Sequence, residues 1–373
     1  SNMNLYLYLY LLISLIYTFS IYFDQSNFIT KYKFIILSFI SFILIILVGL
    51  RNIVGSDFGG YYLDFIYMAD AYAQNNNFKS QSLDLLYEIL SFLTIYLGLS
   101  FAYLNLLVGI IFTTGVVFFA NKEKDYLLII LIFLSCHFLV LGMGYVRQGL
   151  SLAFIFLLID AWRDNKILKS YIYFILAVLS HKFAIFYFFL LIVKPKGKWL
   201  FFNKFFYFII ILFGIIISSI IFHKHSIVHY FTVYSLEHSA GAYYRILLFV
   251  ICTFLFFMNK SFFYKRADYR YLFLSANIII FLSPFIFIFS TMVDRIIMYL
   301  IPFVYIILSN IAFTSKIVST NLIRSLIVFL MFIHLFLWTN FSKQAHLYVP
   351  YKMIYPTNGL IPHDIYMRRI CCY

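Results

Sequence analysis

Long apolar runs recur along almost the whole chain and constrain its fold more than any other feature. A helix needs about 20 apolar residues to cross a bilayer, because its backbone polar groups must be hydrogen-bonded within the segment. By that length the sequence predicts ten spans, at residues 4–23, 34–50, 101–120, 126–143, 145–162, 201–222, 243–258, 270–289, 294–313 and 321–340. Charged residues make up only 11% of the chain, which excludes a soluble domain. We predict an all-α polytopic membrane protein, with residues 1–373 forming one integral membrane domain.

Two further segments are ambiguous, so the prediction is about 11–13 transmembrane helices. Residues 83–98 are short and charged, and residues 170–193 carry Ser180, His181 and Lys182 at their centre. The preferred threading keeps 83–98 on one side and makes 170–193 a re-entrant or short-helix hairpin with its tip at His181. A rival threading lets 83–98 cross and makes 170–193 one long helix.

The basic loops favour the first threading, because Lys and Arg concentrate in cytoplasmic loops. The basic residues between spans are Lys31 and Lys33; Arg163, Lys166 and Lys169; Lys194, Lys196, Lys198 and Lys204; Lys260, Lys265, Arg266 and Arg270; Lys316 and Arg324. All of them lie on the cytoplasmic side in the first threading. The rival threading places Arg163, Lys166 and Lys169 on the external side. The net charge of +14 therefore indicates topology, and nucleic-acid binding is not expected.

The same threading collects the remaining polar residues on the external side. It places there the loops 51–82 and 223–242, the second an amphipathic segment, and a C-terminal tail at 341–373. Ser1 and Asn2 before Met3 are expected to be a cloning remnant, and the first apolar run a retained helix rather than a signal peptide. The cysteines, Cys136, Cys252, Cys371 and Cys372, match neither a disulfide framework nor a zinc site.

The stretch 50–62 becomes polar abruptly after a predicted span. Arg51 and Asp57 stand here among three glycines, and a charge near hydrocarbon is costly unless it is paired or reaches water. These residues predict a functional cavity with tight backbone turns. The alternative is an Arg that reaches the headgroups and an Asp that caps the next helix.

Four arginines stand at predicted external span ends: Arg51, Arg147, Arg245 and Arg295. Guanidinium groups bind phosphate bidentately, so together they predict a site for a diphosphate at the membrane surface. Each could instead be an interface anchor. Asp294 and Arg295 are neighbours and could simply lower each other's burial cost. Tyr61 and Tyr244, beside these arginines, could stack on sugar rings.

His181 is either a hydrogen-bonded core histidine or, at the tip of a hairpin, a general base. With an ordinary pKa near 6.5 it would accept a proton at neutral pH. His223, His225 and His229 have metal-ligand spacing, but no other ligand type follows before Glu237, so no metal site and no cofactor are expected. No nucleotide-binding or hydrolase motif is present, and no internal repeat of a transporter is apparent.

Four short motifs follow one another along most of the chain. They are Arg51, Gly55, Asp57 and Tyr61; Val146, Arg147, Gln148, Gly149 and Ala153; Leu179, Ser180, His181, Lys182 and Ala184; and Val349, Pro350 and Tyr351. In this order and spacing they resemble the EpsG-like branch of the Wzy polysaccharide polymerases.

The resemblance implies a metal-independent glycosyltransferase with a GT-C-like fold, in the bacterial inner membrane, with its site facing the periplasm or exterior. Its substrates would be undecaprenyl-diphosphate-linked repeat units of an O-antigen or capsule, and its partners membrane lipids, a Wzz-like chain-length regulator and a Wzx-like flippase. His181 ranks first and Asp57 second as the base. Arg51, Arg147, Arg245 and Arg295 would bind the diphosphate, and Gln148, Tyr61, Tyr244 and Asp294 the substrate.

Other classes remain open. An O-antigen ligase uses the same donor but transfers it to lipid A core, and the ordered motif set favours the polymerase. A membrane O-acyltransferase also combines a membrane histidine with arginines. A flippase would need a continuous basic cavity across the bilayer.

Overall fold

The computed structural model describes residues 4–23, 31–74, 84–193 and 241–353. Within these ranges the regular structure is helical, apart from one isolated β-bridge between Arg51 and Met353. The first nine α-helices are α1 (Leu5–Tyr22), α2 (Lys33–Gly49), α3 (Phe58–Ala73), α4 (Leu85–Tyr96), α5 (Phe101–Asn121), α6 (Tyr126–Cys136), α7 (Val146–Arg163), α8 (Ile167–Ser180) and α9 (Phe188–Ile192). The others are α10 (Ala242–Met258), α11 (Lys260–Phe263), α12 (Tyr269–Leu282), α13 (Ser290–Ile297), α14 (Ile301–Ile311) and α15 (Thr320–Phe341).

The all-α polytopic fold is confirmed. Among the described residues, five helical stretches are long and apolar enough to cross a membrane: Leu5–Tyr22, Phe101–Asn121, Tyr269–Phe287, Ser290–Ile311 and Thr320–Phe341. Several shorter apolar helices accompany them, including Lys33–Gly49 and Ala242–Met258. The predicted span 201–222 and the segment 223–240 lie outside the described residues, so the total of about 11–13 crossings stays a prediction.

Helix α7 is the central element and connects the two polar ends of the bundle. Almost every side chain from Gln148 to Trp162 is buried, while Arg147 stands in its first turn and Arg163 in its last. Eighteen residues at a rise of 1.5 Å make a helix of about 27 Å, close to the thickness of the hydrocarbon core. The two arginines therefore belong to opposite ends of the molecule.

The chain folds back on itself after His181, as the hairpin threading predicts. Helix α8 ends at Ser180, His181 is extended, and a 3₁₀ turn at Lys182–Tyr187 leads into α9. The segment that follows His181 packs on α8, since the rings of Phe174 and Phe188 lie 6.1 Å apart. Its end returns to the level of Arg163, because the Trp162 indole donates to the Val193 carbonyl at 2.6 Å. Helix α4, with 12 residues, is too short to cross.

The predicted span 126–143 is a broken helix. Helix α6 is followed by a π-helix at Phe138–Gly144, and the axes of Tyr126–Ser135 and Phe138–Gly144 differ by 66°. The predicted span 294–313 also differs, because its helix begins four residues earlier at Ser290. Asp294 and Arg295 consequently lie inside the helix rather than at its start. The predicted loop 51–82 contains the 16-residue helix α3.

The segment 342–353 closes the bundle over the turn at 50–57. The Gly55 amide donates to the Leu347 carbonyl and the Asn52 amide to the Lys352 carbonyl, both at 2.9 Å. Gly55 has a φ of +112°, and a Cβ there would overlap the Met143 carbonyl. Only glycine fits this position, whereas Gly60 lies in α3 with open space around it. The described part of the predicted tail is therefore packed structure.

Candidate active site

Arg147 is held in a cradle of aromatic rings and carboxylates at the start of α7. Its guanidinium carbon lies 4.9 Å from the Tyr61 ring centre and 5.2 Å from that of Tyr87. One terminal nitrogen is 3.0 Å from an Asp64 oxygen and the other 3.5 Å from Asp84. The side chain keeps 18% of its surface exposed. The Tyr61 ring lies on the guanidinium, and this arrangement fixes the orientation of the planar group. The predicted stacking of Tyr61 on a sugar stays a prediction.

The tip of the hairpin lies beside Arg147. Asp84 is the connection, because it accepts a hydrogen bond from the Lys182 backbone and also pairs with Arg147. Burial raises the pKa of Asp84, and the cations Arg147 and Lys182 oppose that rise. His181, half-buried next to Lys182, places Nδ1 2.8 Å from the Tyr299 hydroxyl. A histidine and two cations thus come from α7 and the hairpin.

Arg295 completes the group from α13. Its backbone carbonyl accepts a hydrogen bond from the buried Gln148 amide at 3.2 Å, which joins α13 to the first turn of α7. Asp57, at the start of α3, faces Arg295 and Arg147. Burial raises the pKa of Asp57, while a Ser56 hydrogen bond and these two arginines act in the opposite direction. Gln148 is thereby a residue that positions Arg295.

The pKa of the His181 imidazole differs from the ordinary value expected from the sequence. His181 lies at the tip of a hairpin that does not cross the bundle. Burial nevertheless lowers the pKa of His181, and the nearby cations Arg295, Lys182 and Arg147 lower it further. The ring is therefore neutral at neutral pH, which is the state a general base requires. Burial, and after it these three cations, lowers the pKa of His181 from the expected 6.5 to about 3.

We name these residues the Arg147 cluster: Asp57, Asp64, Asp84, Arg147, His181, Lys182 and Arg295. They come from five separate stretches of the chain, and the structure brings them together at one end of α7.

Arg245 and Asp294 form a pair of their own. The Arg245 Nε lies 2.8 Å from one Asp294 oxygen, and a terminal nitrogen contacts the other oxygen. The sequence offered the neighbouring Arg295 as a partner for Asp294, and the structure shows Arg245 in contact with both oxygens of its carboxylate. The pair joins α10 to α13, and a bidentate partner leaves Arg245 fewer donors for a diphosphate.

Arg51 lies inside the protein, with 1% of its surface exposed. Its guanidinium donates to the Val48 carbonyl and, at 2.9 Å, to Asn105 Oδ1, and it lies over the Phe58 ring. These contacts hold the turn at 50–57 against α5. A diphosphate would reach this side chain only if the turn opened, so the geometry favours a structural role over the predicted ligand contact.

Tyr244 is not part of the cluster. It is 78% exposed on the outer surface of α10, although its neighbour Arg245 is largely buried. The predicted sugar contact for Tyr244 stays a prediction. Adjacency in sequence put the two residues together, whereas the helix directs them to different sides.

The residues at this end that were not predicted as site residues include Asp64, Asp84, Tyr87, Lys182, Tyr299 and Tyr348. Tyr348 is buried, and its hydroxyl lies 3.4 Å from the Ser56 Oγ beside Asp57. Asp84 carried a signal, since a carboxylate at the edge of an apolar run is costly without a partner. The tyrosines carried none, because the chain contains 33 of them.

No group of three or more potential metal ligands occurs among the residues that the structure describes. His223, His225, His229 and Glu237, considered in the sequence, lie outside those residues. The positive charges in the Arg147 cluster are those of the side chains of Arg147, Lys182 and Arg295.

Comparison with known proteins gives one result. The family model described as the EpsG family matches residues 34–353, a range that includes every member of the Arg147 cluster. No curated protein and no solved structure matches the chain.

Proposed function

Because the chain belongs to the EpsG family, we propose that this multi-pass membrane protein is a Wzy-type polysaccharide polymerase. It transfers the growing glycan as a block from undecaprenyl diphosphate to a sugar hydroxyl of an incoming lipid-linked repeat unit. The observation that carries the proposal is the convergence of Arg147, Lys182 and Arg295 beside His181 at one end of the bundle. This group supplies both kinds of residue that the reaction needs.

The reaction exchanges one bond to the anomeric carbon for another. The acceptor oxygen forms the new glycosidic bond, while the bond between the anomeric carbon and the diphosphate oxygen breaks. The electron pair of that bond leaves with the lipid diphosphate, and the acceptor hydroxyl loses its proton. Catalysis therefore requires stabilisation of the growing negative charge and a base for the proton.

The cations meet the first requirement. Arg147 is held by its aromatic and carboxylate neighbours before substrate arrives, so little reorganisation accompanies charge development. Its contact with Asp64 is the exposed part of the cradle, since the Asp64 side chain is 62% exposed. Exposed ion pairs contribute only about 0–1 kcal/mol, so a diphosphate can displace this carboxylate at small cost.

His181 meets the second requirement. It is neutral at working pH and lies among the cations that would hold the leaving diphosphate. Asp57, half-buried and with a raised pKa, is the second candidate for the base. The site would face the periplasm or exterior of the inner membrane, an orientation that follows from the positive-inside rule applied to the basic loops.

Deletion of the gene, followed by electrophoresis of the surface polysaccharide, tests the proposal. Loss of a polymerase leaves a core that carries a single repeat unit, whereas loss of a ligase or flippase leaves bare core. Loss of an O-acyltransferase leaves a normal ladder. Complementation with the wild-type gene should restore the ladder, and complementation with Arg147→Lys should not. Bare core or an unchanged ladder in the deletion strain would contradict the proposal.

A further inference from the structure

We propose that the enclosed guanidinium of Arg51 holds a small inorganic anion, such as chloride or phosphate, where the turn at 50–57 meets α5. The site is built by Arg51 and Asn105, and neither residue belongs to the Arg147 cluster. The inference goes beyond the proposed function, because it concerns a bound ion that takes no part in glycan transfer.

The charge of Arg51 meets no carboxylate in the described part of the chain. Arg51 is the only arginine among the described residues that is buried. Its guanidinium contacts the Val48 carbonyl, Asn105 Oδ1 and the Phe58 ring, all of which are neutral. The less buried arginines that each contact one or more carboxylates are Arg147, Arg163, Arg245, Arg266 and Arg324.

A buried charge without a counter-ion is costly, because apolar surroundings do not replace the water that the charge has lost. Loss of the proton does not remove this cost at Arg51. Burial lowers the pKa of Arg51 to about 10, so the guanidinium stays protonated at neutral pH. The positive charge therefore remains inside the protein and requires a negative partner.

The same place has a surplus of hydrogen-bond donors. Nε of Arg51 and Nδ2 of Asn105 are buried and have no acceptor. They belong to side chains in direct contact, since Arg51 Nη2 and Asn105 Oδ1 are 2.9 Å apart. Nε of Arg147 and of Arg163 also has no acceptor, but carboxylates contact the other nitrogens of those groups. Unpaired donors beside an unmatched positive charge favour a ligand that is both an acceptor and an anion.

The surroundings restrict the anion to a small one. Arg51 has 1% and Asn105 2% of its surface exposed. The segment 342–353 covers the turn, and Arg51 itself forms the β-bridge with Met353 of this segment. An ion of a few atoms can neutralise Arg51 beneath this cover, whereas a lipid-linked diphosphate would require the turn to open.

Thermal unfolding of the purified full-length protein tests the site, with chloride and inorganic phosphate as the probes. Sodium gluconate at the same ionic strength is the reference, because gluconate is too large for an enclosed site. An ion that binds the folded state raises stability with the logarithm of its concentration, so we expect Tm to rise by about 2–4 °C for each tenfold increase above Kd. Equal Tm values in chloride, phosphate and gluconate would overturn the inference, and this measurement needs no variant.

Asn105→Asp locates the anion. The change places a carboxylate against Arg51 with almost the same side-chain volume, and that carboxylate would take the place of the bound ion. We expect the variant to have a higher Tm than the wild type in gluconate and to lose the response to chloride and phosphate. A variant that keeps the wild-type response would place the bound anion elsewhere and contradict the assigned site.

Asn310→Asp is the matched control. Arg266 Nη1 donates to Asn310 Oδ1 at 3.0 Å, and Asn310 is 4% exposed, so this contact resembles the one between Arg51 and Asn105. Arg266, however, already contacts two carboxylates. A further carboxylate meets no unmatched charge there, so Asn310→Asp should lower Tm and leave the response to chloride unchanged. An equal gain in stability from both changes would contradict the inference that Arg51 in particular lacks a carboxylate partner.

Discussion

Charged residues gather at both ends of α7, but they are arranged differently. At the end opposite the Arg147 cluster lies the Arg163 network, made of Glu123, Arg163, Arg266 and Asp268. Arg163 contacts Asp268 at 2.6 Å and Glu123 at 3.0 Å, and Arg266 contacts the same two carboxylates at 2.9 and 3.0 Å. Each guanidinium meets both carboxylates. In the Arg147 cluster, by contrast, the Arg147 contacts reach 3.5 Å and one of its carboxylates is exposed.

The pKa values express the same difference. Burial alone would raise the pKa of Asp268, but Arg163 and Arg266 lower it to about 2. At the other end burial prevails, and the pKa values of Asp57 and Asp84 are raised despite their arginine neighbours. A network of charges that satisfy one another joins helices. A cluster whose charges are incompletely matched retains electrostatic attraction for a ligand.

The first prediction is that the two ends face opposite sides of the membrane. In a cysteine-free background, Lys166→Cys should be protected from a membrane-impermeant thiol reagent in intact spheroplasts, and Asp64→Cys should react. Lys166 stands two residues from Asp164, which pairs with both Lys122 and Lys166 beside the Arg163 network. Reaction at position 166 from outside would reverse the assignment of the site to the exterior.

The second prediction separates rate from stability. His181→Ala should lower kcat by about 10²–10⁴, the usual contribution of a general base, with an unchanged melting temperature. Asp268→Asn should do the reverse. It leaves two buried guanidinium groups with one partner fewer and should lower the free energy of unfolding by about 3–5 kcal/mol. Thermal unfolding in detergent measures stability, and turnover of lipid-linked substrate measures rate. An Asp268→Asn protein that is slow but fully stable would contradict the prediction that this residue contributes to stability rather than to rate.

The pH dependence sharpens the same comparison. A base must be unprotonated, and burial together with Arg295, Lys182 and Arg147 lowers the pKa of His181, so activity should fall only at a pH well below 6.5. Asp268 has a lowered pKa, so its stabilisation is present above the unfolded pKa of about 3.9 and is lost as the pH falls towards 2. Because the pKa of His181 is lowered to about 3, the decline in rate and the loss of this stabilisation fall in the same acid range. The limb should vanish in His181→Ala, and its persistence there would transfer the role to Asp57.

The sequence predicted the membrane fold and much of the site for physical reasons that act locally. Apolar length alone located six helices to within one residue at each end, whereas the predicted spans 126–143, 270–289 and 294–313 correspond to helices that break or begin elsewhere. The basic loops indicated the hairpin at His181, and the chain does fold back there. Arg147, His181 and Arg295 were correct as neighbours because each charge stands at the end of an apolar run on the same predicted side.

The remaining details depend on which way side chains point, and sequence spacing does not determine this. The sequence offered only Arg295 as a partner for Asp294, and the contact with Arg245 on α10 came from the structure. Arg51 and Arg147 were both predicted at external span ends. The Arg51 side chain, however, is enclosed by Val48 and Asn105. Tyr299 had no distinguishing feature among 33 tyrosines until the hairpin placed His181 against it.

The third prediction uses that difference between arginines. Arg147→Lys should lower turnover about 10²–10³-fold at normal protein levels, because an ammonium cannot reproduce the planar fork at a developing charge. Arg51→Lys should instead reduce the amount of folded protein, since it leaves the Asn105 and Val48 acceptors poorly matched inside the bundle. Quantified membrane levels and ladder length per molecule separate the two outcomes. If the Arg51→Lys protein is stable and has the kinetic defect of Arg147→Lys, Arg51 would again be a candidate ligand of the diphosphate.

The smallest effect is expected at Asp64, which tests whether the Arg147 cluster is open to a ligand. Its carboxylate contacts the guanidinium at 3.0 Å but is 62% exposed, so it occupies Arg147 without enclosing it. A diphosphate must displace this weak competitor, and Asp64→Asn removes the competition while keeping the size of the side chain. The KM for lipid-linked substrate should fall about 1.5- to 5-fold, which corresponds to the roughly 0.2–1 kcal/mol of an exposed ion pair, and kcat should change little. Asp70→Asn, an exposed carboxylate later on the same helix, is the matched control and should leave KM unchanged. A raised KM in Asp64→Asn would mean that Asp64 orients Arg147 for the ligand, and the cluster would then resemble the Arg163 network in being held by its own carboxylates.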